Sequence, residues 1–261
     1  MSAPRAIGSR DNPLLVRLRK LAQSPGAYRK LGQVWLEGEH LCGAAHGRGV
    51  VPALAVGTEA ALADPALAAL MAAARAQVVV PAALFAGFSG LESPAALGYL
   101  LDLPPAPAID PRAASVVLEG VQDAGNVGSV LRSASALGAR QVLALKGTAA
   151  LWSPKVLRAG MGAHFNLRLV EGLALADLQA LALPLVATSS HAALSLPAAP
   201  LPAPCAWVFG HEGRGVSAPL LARCALTVGI PQPGGEESLN VAAAAAICLY
   251  ESARRGRGGA Q

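Results

Sequence analysis

Aromatic side chains are scarce in this 261-residue chain, at 4% of positions, although 53% of residues are hydrophobic. Much of the apolar share is alanine, so the core is expected to be rich in small residues, with helices packed on sheet. Long apolar runs are missing as well. No stretch reaches the roughly 20 uninterrupted residues that a membrane-spanning helix needs, because Pro, Asp or Arg breaks each candidate. The opening MSAPRAIGSRDNP holds no apolar segment of the secretory kind, and a cytoplasmic location is expected. CxxC pairs are absent. Cys42, Cys205, Cys224 and Cys248 lie far apart and read as small buried residues in a reducing compartment, which excludes a zinc ribbon or a disulfide framework. The five histidines do not cluster either, and no metal is expected.

Charge is sparse, at 14% of residues, but unevenly spread. Residues 1–30 carry seven basic side chains (Arg5, Arg10, Arg17, Arg19, Lys20, Arg29, Lys30) against one acid, Asp11. Arg254, Arg255 and Arg257 stand among glycines at the other end, and the net charge is +5. Two basic ends point to a polyanionic partner, most simply nucleic acid. The plainer reading is a solvated helix face and a loose tail.

Prolines mark the clearest boundary. LPPAPAIDPRAA, residues 103–114, cannot join a helix or a central strand and would stiffen a connection. It separates a first α/β domain over 1–103, through a linker over 104–114, from a second domain over 115–253 and a basic tail over 254–261. In the first domain, β-like runs at 34–36, 50–56, 77–80 and 97–101 alternate with helical ones, and Asn12 with Pro13 starts a helix over 13–22. In the second, apolar periodicity predicts strands at 115–118, 141–145, 166–170, 185–187, 206–209 and 226–230. Helices are expected at 127–137, 153–161 (capped by Ser153), 173–181 and 239–253. Alternating strands and helices imply an α/β fold with a mostly parallel sheet covered on both faces. Such sheets bind ligands in the loops beyond their strand C-termini.

Polar, Gly-rich loops follow three of those strands. EGVQDAGNVGSVLR places Asn126 at the start of a helix and Arg132 further along it. FGHEGRG sets Glu212 between glycines directly after a buried run, where backbone N–H groups can face a ligand. A Gly-Gly turn and two acids, Glu236 and Glu237, precede Ser238-Leu239-Asn240 and an alanine-rich helix. Ser238 and Asn240 both stand where a helix cap belongs. Between the first two loops, Lys155 and Arg158 lie three apart on one helical turn, suited to one exposed face and a phosphate, or to an ordinary basic surface. GNVG lacks the GxGxxG fingerprint, and no acid ends the next strand, which disfavours a dinucleotide-dependent oxidoreductase.

Together, Asn126 and Arg132 in GNVGSVLR, Gly210, Glu212 and Gly215 in FGHEGRG, and Ile230 with Ser238-Leu239-Asn240 in GIPQPGGEESLNVAAAAA resemble the three signature motifs of the SpoU (TrmH-like) RNA ribose methyltransferases. SRDNPLLVRLRKLAQSPGAYRK and VWLEGEHL resemble that family's substrate-binding module, similar to a ribosomal-protein α/β fold. The resemblance implies a knotted (SPOUT-type) second domain. It also implies S-adenosylmethionine as cofactor, held around Thr188, Gly210, Ile230 and Leu239, methyl transfer to a ribose 2′-hydroxyl, and a homodimer without metal. Catalytic roles then fall on Asn126, Arg132, Glu212, Ser238 and Asn240, with Glu212 orienting Arg132 or a backbone amide. RNA contacts fall on Arg10, Arg17, Arg19, Lys20, Arg29, Lys30, Lys155 and Arg158. The extra N-terminal domain resembles that of ribosomal RNA enzymes more than that of transfer RNA ones. The chain departs from the pattern at Ala124, commonly Pro in the family, and at Gly160, commonly Ser. Transfer RNA as substrate, a base instead of a ribose as acceptor, and a non-catalytic ribosome assembly factor stay open as alternatives.

Overall fold

Asn12 begins the first helix as its sequence predicts: its Oδ1 accepts from the Leu14 N–H at 3.0 Å, and Pro13, which has no N–H to leave unpaired, follows. The structure, a computed structural model, describes residues 4–234 and 238–258. Glu236, Glu237 and residues 259–261 lie outside the described residues. The chain forms two compact units, residues 1–105 with 152–165, and residues 106–151 with 166–261.

The first unit runs β1 (Arg5–Ala6), α1 (Pro13–Gln23), α2 (Ala27–Leu31), β2 (Gln33–Glu37), α3 (Glu39–His46), β3 (Leu54–Gly57), α4 (Glu59–Ala63), α5 (Pro65–Ala72), β4 (Gln77–Val79), α6 (Ala82–Ala86) and β5 (Leu97–Asp102). Its sheet has the order β1-β4-β3-β5-β2, parallel across the first three and antiparallel on both sides of β5. The run expected from residue 50 starts as a strand only at Leu54, because Pro52 cannot join the ladder. The few aromatics are concentrated here. Trp35, Phe85 and Phe88 pack with ring centroids 4.8–6.2 Å apart. Gly98 gives Trp35 its space: a Cβ there would stand 2.3 Å from the indole ring.

The second unit holds β6 (Ser115–Leu118), α7 (Ala124–Ala136) and β7 (Gln141–Leu145). The next helix, α8 (Pro154–Gly160), lies in the 152–165 segment of the first unit, against α1 and β2. Sequence periodicity had placed that helix in the second domain. Ser153 occupies its cap position but makes no capping hydrogen bond. The second unit continues with β8 (Arg168–Leu173), β9 (Leu185–Thr188), β10 (Ala206–Phe209), α9 (Ala218–Leu221), β11 (Leu226–Val228) and α10 (Val241–Gly258). The six strands are all parallel, in the order β11-β9-β10-β6-β7-β8. Strands β6, β7 and β10 are buried at every residue, as a sheet covered on both faces requires. Val117, Leu143, Ala187 and Val208 lie in the core against one face, and α10 packs on α7 and β10.

Three expectations are corrected. The helix expected over 173–181 is a 3-10 helix, Leu175–Ala180, closed by tighter bonds such as Leu181 N–H to Leu178 O. The proline-rich segment is not a free linker over its whole length. Arg168 Nη1 donates to Ala108 O at 3.1 Å, the Ala182 N–H to Pro111 O at 2.9 Å, and the fully buried Gln141 amide exchanges bonds with both backbone groups of Asp110. Third, α10 runs through Gly258, past the expected end at 253, because Arg254 and Arg255 both reach back to Glu251 on its last turns.

Gly98→Ala is expected to lower the unfolding free energy by about 1–3 kcal/mol, the usual cost of forcing a methyl into a filled core. Urea denaturation followed by tryptophan fluorescence measures it, and an unchanged midpoint contradicts the packing described.

Candidate active site

The C-terminal ends of parallel strands set the frame. Leu118 pairs with Phe209, Val208 with Ala187, and Thr188 with Val228, so the chain leaves β6, β10, β9 and β11 along one sheet edge. Gly210 is the first residue beyond β10. A Cβ there would lie 2.2 Å from the Gly215 backbone, so only glycine lets the loop fold back on itself. Paired bonds between His211 and Gly215, at 2.8 and 3.0 Å, close that loop, with Gly215 at φ 66°. Glu212 projects from its tip.

Glu212 gathers the first loop. Its Oε2 accepts from the Gln122 N–H at 3.2 Å, and its Oε1 from the Asp123 N–H at 3.1 Å and from Asn126 Nδ2 at 3.2 Å. Burial alone would push this carboxyl up. Bonds from its own N–H, from Asp123, Asn126 and Gln122 outweigh that and hold it below the usual carboxylate value. Asn126 Oδ1 in turn accepts from Asn240 Nδ2 at 3.0 Å, and Asn240 Oδ1 accepts from the Ala242 and Ala243 N–H groups at 2.9 and 3.3 Å. Thus Asn240, not Ser238, caps α10. The direction of this chain is forced. An ionised carboxylate only accepts, and a helix N-terminus only donates, so each asparagine between them must give its NH₂ one way and its oxygen the other.

Asp123 caps α7, its Oδ1 taking the Asn126 N–H at 2.9 Å. That leaves Asn126 in the first turn and Ala124 at the first helical position, where proline is also at home. Glu119 braces the other loop: its carboxylate accepts from the Ser217 N–H at 2.7 Å and from the hydroxyl at 2.6 Å. Neither Asp123, Glu119 nor Ser217 was singled out from sequence, although each flanks one of the polar loops.

Arg132 stands apart. It is exposed, six residues past Asn126, hence roughly 9 Å along α7 and about 120° round it. It makes no hydrogen bond or ion pair among the described residues. Glu212 therefore orients two backbone amides and Asn126, not Arg132. Thr188 is half-buried at the end of β9, Gly210 is buried, and Ile230 is half-buried two residues past β11. Ser238 is exposed and Leu239 is 39% exposed. The Gln232 Oε1, in the loop after Ile230, is buried with no hydrogen-bond partner among the described residues.

The basic candidates all fall in the first unit, because α8 packs there. Arg10, Arg17, Lys20, Arg29, Lys30 and Lys155 are exposed, while Arg19 and Arg158 are half-buried. Arg17 also bonds Gln33 and Arg19 bonds the Gly87 carbonyl, each at 3.2 Å. Arg158 lies beside Gly90 instead of sharing an open face with Lys155. Cysteine chemistry is unsupported: burial pushes the Cys205 and Cys224 thiols up to about 11 and Cys248 up to about 12. Among the described residues, no cluster of three or more His, Cys, Asp or Glu could hold a metal ion, and no helix is long and apolar enough to cross a membrane.

The SpoU rRNA Methylase family matches residues 113–250. The chain belongs to that family. A Synechocystis protein named as an uncharacterized tRNA/rRNA methyltransferase is 33% identical over 96% of this chain and 94% of its own length. The 23S rRNA (guanosine-2′-O-)-methyltransferase RlmB of Nitrosomonas europaea is 38% identical, and the match spans 54% of this chain and 55% of that protein. Among solved structures, an RNA 2′-O ribose methyltransferase is 33% identical with a TM-score of 0.80, over 97% of this chain and 99% of that one. AviRb of Streptomyces viridochromogenes, a SpoU methyltransferase solved with AdoMet, shares the fold at a TM-score of 0.83 and 23% identity, over 95% of this chain and 100% of its own. The three loops joined through Glu212, Asn126 and Asn240 all lie within the residues that the family matches.

Stability should fall in acid because of Glu212. Its folded value is lowered, so the stabilisation is complete above the unfolded value of about 4.3 and is lost as pH drops through the folded one. Glu212→Gln should flatten that slope and cost about 1 kcal/mol near neutrality, since an amide cannot accept all of these bonds with both of its heavy atoms. Denaturation at pH 3 and pH 7 checks both; an equal acid slope in the variant contradicts the assignment.

Proposed function

We propose that this chain transfers a methyl group from S-adenosylmethionine to a ribose 2′-hydroxyl of large-subunit ribosomal RNA. The observation that carries the reading is the bonded series from Glu212 through Asn126 and Asn240 to the α10 N-terminus, which gathers the three SpoU loops at one sheet edge. The names of the RlmB relative and of the ribose methyltransferase support the 2′-O chemistry, and RlmB supports ribosomal RNA; the Synechocystis name covers both RNA classes.

The residues fit the cofactor. Thr188 ends β9, Gly210 follows β10 and Ile230 lies two residues past β11, three neighbouring strands of that edge, with Leu239 just before α10, and Gln232 supplies a buried acceptor that no donor among the described residues meets, suited to an adenine or ammonium N–H. The cofactor's sulfonium supplies an already activated methyl, so alignment is the main task left to the protein. Asn126 is committed at both ends of its amide and acts as a strut. The Arg132 guanidinium has no partner among the described residues. It clamps the phosphate next to the reacting ribose and stabilises the developing alkoxide, while phosphate or water takes the proton. Guanidinium itself stays protonated. Ser238 holds the ribose. The first unit serves as the RNA arm through Arg10, Arg17, Lys20, Arg29, Lys30 and Lys155, with Arg19 and Arg158 in support. The second unit is knotted and the protein works as a cytoplasmic homodimer without metal.

Mass spectrometry of nuclease-digested RNA from cells with and without the gene tests the substrate. One 2′-O-methyl lost from a single large-subunit position supports the reading; loss from transfer RNA keeps the chemistry and overturns the substrate; no loss from either overturns the proposal in favour of an assembly factor. Arg132→Ala is expected to retain cofactor affinity and lose most turnover, by about 100-fold or more; full turnover removes its role. Reversing Arg17 and Lys20 to Glu should weaken RNA binding and lower the salt slope by about 1–2 units. Arg19 is spared because it holds Gly87. An unchanged slope in a binding titration counts against the arm.

A further inference from the structure

The loop after β9 returns to pair with the end of β11. Ser189 N–H bonds Val228 O at 3.0 Å, Gly229 N–H bonds Leu194 O at 2.8 Å, and Leu196 N–H bonds Gly229 O at 2.7 Å. Gly229 is the residue before Ile230, so this pairing fixes where the third motif loop departs. From Leu196 the loop makes one tight turn, with Ala198 and Ala199 N–H both on Ser195 O at 3.0 Å. Of its later carbonyls, Leu196 O takes only a long bond from the Ala199 N–H, at 3.4 Å, Ala199 O takes the Leu201 N–H at 2.9 Å, and Pro197 O has no backbone donor among the described residues.

Arg255 of α10 meets the Pro197 carbonyl and adds a second donor to the other two. Its Nη2 donates to Leu196 O and Pro197 O, each at 2.9 Å, and its Nη1 donates to Ala199 O. Its Nε donates to Glu251 Oε1 at 2.7 Å. Glu251 is 14% exposed and Arg255 27%, so the pair is shielded from solvent more than an ordinary surface bridge. A planar guanidinium reaches carbonyls and a carboxylate together in a way that one ammonium cannot. The basic tail read from sequence is therefore, at this residue, part of the fold.

We infer that Arg255, held by Glu251, is a positioning residue for the cofactor site, acting through the 195–199 turn and Gly229 on the loop that starts at Ile230. This rests on the reading of that loop as a cofactor loop. Arg254 makes a convenient contrast. It bonds the same carboxylate, at 2.8 and 2.9 Å, but is 58% exposed and bonds no loop carbonyl among the described residues.

The test is calorimetric affinity for S-adenosylhomocysteine together with hydrogen exchange of the full chain, in Arg255→Met, Arg255→Lys, Glu251→Gln and Arg254→Met. Arg255→Met should weaken affinity about tenfold, equivalent to about 1.4 kcal/mol. It should raise exchange at Gly229 and Leu196 while leaving the sheet core protected. Arg255→Lys and Glu251→Gln should fall between it and the parent, and Arg254→Met should match the parent. If Arg255→Met does not fold, the two milder variants carry the test. Parental affinity and exchange in folded variants overturn the inference, as does weakened affinity without faster exchange at Gly229. Gly210→Ala separates the two readings. If the parent binds no S-adenosylhomocysteine, or binds it with no loss on Gly210→Ala, the cofactor reading fails and the inference falls with it; if Gly210→Ala weakens binding and Arg255 variants do not, the positioning role alone fails.

Discussion

One carboxylate organises the second unit's working edge. Glu212 accepts from two backbone amides and one side-chain amide of the first motif loop, and everything beyond it follows from the fact that it can only accept. The asparagines at 126 and 240 are then fixed in orientation, and the first N–H groups of α10 find an acceptor that would otherwise have to be water. Loops that leave separate strands thereby become one assembly. The glycine at 210 is the steric counterpart. It allows the Glu212 loop to turn back within van der Waals limits, which any side chain would prevent.

Local chemistry made much of this legible. Short apolar runs bounded by polar loops gave β6, β7 and β10 their bounds, and Asn12 with Pro13 marked a helix start that the backbone obeys. The polar loops at strand ends were visible for the same reason. What sequence could not supply was partnership. Asn126 and Asn240 meet across 114 positions, and both had plausible local roles as caps, so their mutual bond had no signature in either neighbourhood. Arg132 was grouped with Glu212 because they share a motif set, yet the turn of α7 carries it to another side.

Helix α8 teaches the same lesson at larger scale. Its periodicity, its proline and its cap position were all readable, but which unit it packs with depends on α1 and β2, far earlier in the chain. The consequence is that Lys155 and Arg158 belong with the basic residues of the first thirty positions, not with the six-stranded sheet. The tail gave the opposite surprise. Arginines among glycines read as loose, whereas Glu251 recruits Arg254 and Arg255 into the last turns of α10.

The stitching of the proline-rich segment has a bearing on how the protein can be divided. Ala108, Asp110 and Pro111 each bond a group of the second unit, and Ile109 packs against its core. A fragment begun at Ser115, where the first strand starts, would strip the partners from Gln141 and leave a fully buried amide with its oxygen and one N–H unmet. The same fragment begun at Ala106 would keep all of them. The natural edge of this unit therefore lies upstream of its secondary structure, in residues whose composition alone marks them as spacer.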